Sequence, residues 1–131
     1  MPPSYVRRVV ESELRSRLQS TGAVVIEGPK ACGKTATAET LAASEVRLDV
    51  DDQARRAAEI EPALVLAGKT PRLIDEWQAV PSIWNHVRRA VDARGKPGQF
   101  ILTGSAVPSD DITRHTGAGR LSRVRMRPMT L

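Results

Sequence analysis

GPKACGKT, residues 28–35, follows the apolar run AVVIE at residues 23–27 and holds two of the four lysines in the 131-residue chain. It satisfies G-x-x-x-x-G-K-[ST] at every fixed position. With glycine near 7% of residues, a chance match in a chain of this length is on the order of a few per thousand. The setting sharpens the reading, because the octet lies where a buried strand should turn into a helix. Gly28 and Gly33 allow backbone angles and close approaches that a side chain would block. The intervening amides can then line an anion-binding hollow at the start of the following helix. An ordinary glycine-rich turn is the alternative, and it leaves the Lys-Thr pair unexplained.

The chemistry expected of such a loop assigns its residues. Gly28, Pro29, Lys30, Ala31, Cys32, Gly33, Lys34, Thr35 and Ala36 would surround the phosphates of ATP. Lys34 supplies a point charge to the β- and γ-phosphates, and the Thr35 hydroxyl is a hard oxygen ligand for Mg²⁺. Cys32 has two readings: a small residue that fits a tight turn, or a thiol activated by Lys34 and the helix start.

Around the octet the hydrophobic pattern alternates between helical and strand periods. Val6, Val10, Leu14 and Leu18 recur every four residues, which predicts an amphipathic helix over 5–19. The wholly apolar 23–27 stretch reads as a central parallel strand covered on both faces. A helix is expected from Gly33 to about Ser44, then a strand over 45–51 in which Val46, Leu48 and Val50 alternate with charged residues. Residues 52–68 read as helix broken by Pro62 and stopped by Gly68. Further strands are expected at 71–75, 98–104 and 121–129, with a helix over 81–94 ended by Gly95. Strands alternating with helices imply crossovers and a mostly parallel sheet, hence an α/β fold in one domain.

About forty residues beyond the octet, LIDEWQ (73–78) sets Asp75 and Glu76 at the end of a strand. After a phosphate loop, the first carboxylate can hold the Mg²⁺ shell and the next can polarise a water for in-line attack on the γ-phosphorus. The Asp-x-x-Gly of a G-protein switch is absent, and the adjacent Glu favours hydrolysis over phosphoryl transfer. The strand at 98–104 carries Thr103 and is followed by Ser105; either hydroxyl could bond the γ-phosphate or the attacking water, and a plain turn after a strand accounts for these residue types equally well.

Composition bounds the rest. Apolar residues make up 40% of the chain and aromatics only 3%, so the core should be built from Val, Leu, Ile and Ala. No apolar run reaches the roughly 18 residues that would span a bilayer, and residues 1–20, with Glu11 and Glu13 among the arginines, lack the apolar centre expected of a signal peptide. A single cysteine suits a reducing cytoplasm. The net charge of +5 is uneven: residues 112–131 hold five arginines and no acid. A solvated surface explains them without a partner; contact with nucleic acid is less favoured, since no aromatic is interleaved to stack on bases. One of these arginines, Arg120 first and Arg114 second, could instead complete the γ-phosphate site of a neighbouring copy.

GAVVIEGPKACGKTATAE, LIDEWQAVPSIWNHVRRAVD, GQFILTGSA and GAGRLSRVRMRPMTL together resemble the AAA-type ATPase domain of bacterial and archaeal proteins that carry a C-terminal DUF4143 domain. The resemblance runs from about Tyr5 to Leu131. It implies a three-layer phosphate-loop NTPase fold with five strands in the order 5-1-4-3-2. It also implies Lys34 and Thr35 in Walker A, Asp75 and Glu76 in Walker B, Thr103 near sensor 1 and Arg120 near the arginine finger. Such proteins continue past the RPMTL position, so their C-terminal domain is expected to be missing here. The expected activity is Mg²⁺-dependent ATP hydrolysis in the cytoplasm, driving a conformational change in a larger protein that exchanges ATP and ADP. The rivals are a small-metabolite kinase and an ATP-regulated nucleic-acid-binding module.

Overall fold

The structure, a computed structural model, describes residues 3–28, 33–104 and 121–125, with side chains from Val9 onward except that of Arg125. The elements run α1 (Pro3–Leu18), β1 (Ala23–Glu27), α2 (Lys34–Glu39), β2 (Ser44–Arg47), α3 (Asp52–Ile60), α4 (Pro62–Leu66), β3 (Arg72–Asp75), α5 (Ile83–Arg94), β4 (Phe100–Gly104) and β5 (Leu121–Arg125). A 3₁₀ turn over Trp77–Ala79 links β3 to α5. The strands form one parallel sheet in the order β2-β3-β4-β1-β5. This is the order implied by the resemblance, read from the opposite edge, and with helices on both faces it is the phosphate-loop NTPase arrangement.

The period of two along each strand divides the core into two layers. Val24, Ile26, Leu73, Ile101 and Val124 point to one face, where Val10, Leu14 and Leu18 of α1 and Ala38 of α2 cover them. Ala23, Val25, Ile74, Phe100 and Leu102 point to the other, against Trp84, Val87 and Val91 of α5 and Val65 and Leu66 of α4. Both faces of β1 and β4 are therefore buried along their full length. That burial is why these strands read as unbroken apolar runs instead of alternating ones.

Two expected boundaries are corrected. Helix α2 stops at Glu39 instead of near Ser44, because Ala43 N–H donates to Pro71 O at 2.8 Å and Ser44 already pairs with Arg72 in the sheet. Strand β2 ends at Arg47, and Val50, expected to face inward, is 70% exposed. There Asp51 turns the chain into α3, its carboxylate accepting the N–H groups of Gln53 and Ala54 at 3.0 and 3.1 Å. Pro62 separates α3 from α4 as its missing N–H requires. Residues 126–131, part of the expected last strand, lie outside the described residues.

Candidate functional site

Strand β1 delivers Gly28 to the C-terminal edge of the sheet, between β4 and β5. Gly28 N–H donates to Gly104 O at 3.3 Å, which ties the start of the octet to the end of β4. Pro29, Lys30, Ala31 and Cys32 lie outside the described residues. The chain resumes at Gly33 in the left-handed region, φ 81° and ψ 21°, a conformation that glycine adopts without the steric cost of a side chain. Helix α2 starts directly after it, with Thr37 N–H donating to Gly33 O at 3.0 Å. Lys34 in its first turn is only 4% exposed, whereas Ala36 faces solvent.

The order of the sheet now brings together residues far apart in sequence. Strand β4 lies between β1 and β3, so Thr103 stands beside Asp75 in register, and both lie at the edge where α2 begins. Thr35 Oγ1 donates to Asp75 Oδ1 at 2.7 Å, bridging forty positions of sequence. Thr103 Oγ1 donates to the same oxygen at 2.6 Å. Neither hydroxyl uses Asp75 Oδ2. Asp75 itself is 7% exposed, and Leu48 N–H donates to its main-chain oxygen at 3.1 Å. Glu76, the residue that follows, takes the left-handed conformation at φ 57° and ψ 61°, and its N–H donates to Thr103 Oγ1 at 3.1 Å.

Of the residues singled out from sequence, Gly28, Gly33, Lys34, Thr35, Asp75, Glu76 and Thr103 thus lie at one edge of the sheet. Arg114, Arg120 and Ser105 lie outside the described residues. Among the described residues no group of three or more His, Cys, Asp or Glu side chains is placed to hold a metal ion. The oxygen donors available are a hydroxyl and a carboxylate side by side, which suits a hard cation that keeps its waters and takes phosphate oxygens as further ligands.

Three contacts were not legible in the pattern. Arg123, one of the arginines near the chain's end, is turned inward: its Nε lies 3.3 Å from Glu27 Oε1, and Glu27 is buried directly before Gly28. That arginine, part-exposed, is paired with a buried acid and is not merely a solvated charge. The sequence cue was a lone acid ending an apolar strand. Trp77 is buried against Trp84, ring centroids 4.9 Å apart, and it borders Gly104 so closely that a methyl group there would meet its indole nitrogen at 2.8 Å. Arg72 crosses from β3 to bond Val65 O and Ser44 Oγ, and burial pushes its guanidinium below the ordinary arginine value.

Residues 20–131 match the family model AAA_14, described as an AAA domain. The uncharacterized proteins Mb2031c of Mycobacterium bovis and Rv2008c of Mycobacterium tuberculosis are each 29% identical over 129 residues, covering 95% of this chain. The chain spans 29% of the length of these curated relatives. The solved structure of C. elegans PCH-2 aligns with 92% of this chain and 40% of that one, at 18% identity and a TM-score of 0.42. No helix among the described residues is long and apolar enough to cross a membrane. With the family model covering most of its length, this chain belongs to the AAA domain family and is an ATP-binding domain of AAA type.

Proposed function

We propose that this chain is the Mg²⁺-dependent ATP-hydrolysing core of a longer cytoplasmic protein that also carries a DUF4143 domain, and that it couples nucleotide state to conformational change there. The observation that carries the reading is the 2.7 Å contact between Thr35 and Asp75, which joins the start of α2 to the end of β3. A hydroxyl that gives its proton to a carboxylate keeps both lone pairs for a cation. Thr35 and Asp75 would hold Mg²⁺, which when bound neutralises charge on the β- and γ-phosphates. Gly28 through Ala36 are the residues we assign to the phosphates, with Lys34 taking the β- and γ-oxygens. Glu76 orients the attacking water and accepts its proton as oxygen bonds to the γ-phosphorus. The bond to the β-phosphate oxygen then breaks, giving ADP and inorganic phosphate.

Arg120, or failing it Arg114, is the residue we assign to the γ-phosphate of a neighbouring copy.

The test is ATP binding and product analysis on this chain and on a longer protein containing it. Lys34→Ala is expected to abolish nucleotide binding. Glu76→Gln is expected to retain ATP and release no phosphate. Equal hydrolysis by wild type and Glu76→Gln refutes the assignment, and a phosphorylated acceptor in place of free phosphate makes the protein a kinase.

A further inference from the structure

A threonine hydroxyl has one proton and two lone pairs. In Thr103 the proton goes to Asp75 Oδ1 at 2.6 Å, and one lone pair receives the Glu76 N–H at 3.1 Å. The side chain is fully buried, so no solvent competes for either bond. Phosphate oxygens of ATP are acceptors. A hydroxyl whose proton is already held by a carboxylate has only a lone pair left, and that pair repels a γ-phosphate oxygen. To donate there, Thr103 would have to release a short, charge-assisted bond in a buried setting, where such bonds are strongest.

The second bond explains why the first matters. Glu76 is the one non-glycine residue with positive φ among the described residues. Its conformation is disfavoured for any residue with a Cβ and persists only where the surroundings impose it. The constraint comes from two sides. Thr103 holds its N–H, and its carbonyl accepts the Ala79 N–H at 3.1 Å in the turn whose first residue is the buried Trp77.

Resting on the nucleotide reading above, we propose that Thr103 is a positioning residue. It clamps the Asp75 carboxylate and holds the Glu76 backbone in its left-handed turn, so that the two acids face the phosphates from fixed places, and it makes no donor contact with the γ-phosphate.

Two readouts on this chain test it, with Thr103→Val (same shape, no hydroxyl) and Thr103→Ser (hydroxyl restored). The first needs no nucleotide: amide hydrogen exchange at Glu76. In wild type this amide is expected to be protected. Thr103→Val is expected to speed its exchange roughly tenfold while the Val24 and Ile26 amides stay slow, and Thr103→Ser is expected to return it near the wild-type rate. The second is affinity for ATP and for ADP. Thr103→Val is expected to leave their ratio within about twofold of wild type while hydrolysis falls, since no γ-phosphate contact is removed.

An unprotected Glu76 amide in wild type overturns the clamp without any variant. So does unchanged exchange in Thr103→Val. A selective loss of ATP over ADP affinity overturns the positioning role in favour of direct γ-phosphate contact. Failure of wild type to bind ATP overturns the nucleotide reading, and with it the role given to the clamp, even where the exchange rates behave as expected.

Discussion

Gly104 is where strand packing and the candidate site meet, so replacing it with alanine probes both. A Cβ at this position lies 2.8 Å from Trp77 Nε1 and 3.1 Å from both Trp77 Cδ1 and Gln78 Oε1. The indole has no room to withdraw: Trp77 is 1% exposed and packs on Trp84 with the rings tilted by 44°. Overpacking of this kind costs about 1–3 kcal/mol. A Gly→Ala change also restricts the unfolded chain, which offsets about 0.4–1 kcal/mol of that. The net expectation is a loss of roughly 1–2 kcal/mol, or a Tm lower by about 3–8 °C for a chain of this size. Urea unfolding followed by far-UV circular dichroism measures it without relying on the tryptophans. Trp77→Leu removes the ring that the methyl group meets. In that background Gly104→Ala should therefore cost less, with a coupling of at least about 1 kcal/mol across the double-mutant cycle. Costs that add within about 0.5 kcal/mol, or a Gly104→Ala protein as stable as wild type, refute the steric argument.

Thr35→Ala removes a hydroxyl but no charge, so ATP binding should survive only at raised Mg²⁺, and a chelator should weaken wild type toward the variant; a magnesium titration of ATP affinity checks this. Arg72→Met strips the donors that hold Val65 O and Ser44 Oγ, leaving a part-buried carbonyl in want of a partner. We expect a loss of about 1–3 kcal/mol in urea unfolding. Glu27→Gln removes the charge facing Arg123 at 3.3 Å in a buried position. It should destabilise by about 1–3 kcal/mol, with only a modest change between low and high salt because the carboxylate is buried while Arg123 is part-exposed; a salt series of melting curves decides.

The features legible along the chain are local or periodic. Alternating helical and strand patterns announce an α/β fold, because burial on one face recurs with the period of the element that presents it. The octet at residues 28–35 announces a phosphate loop, because closeness of backbone to an anion demands glycine at fixed spacing. Pro62 marked a helix break for the same local reason. Where α2 ends was not legible, since Ala43 and Ser44 are drawn out of the helix by Pro71, just before β3, and by Arg72 at its start.

Which side chains become partners within the site follows only from three-dimensional packing. Thr35, Asp75 and Thr103 are separated by 40 and 28 positions, yet their oxygens meet because β4 is inserted between β1 and β3. No pattern along the chain shows that the Thr103 proton belongs to a carboxylate, that Glu76 is wound left-handed, or that Arg123 turns inward to Glu27. Periodicity says which side of a strand a residue faces; which strand lies next to it, and at what register, follows from how the helices and the sheet together bury their apolar faces.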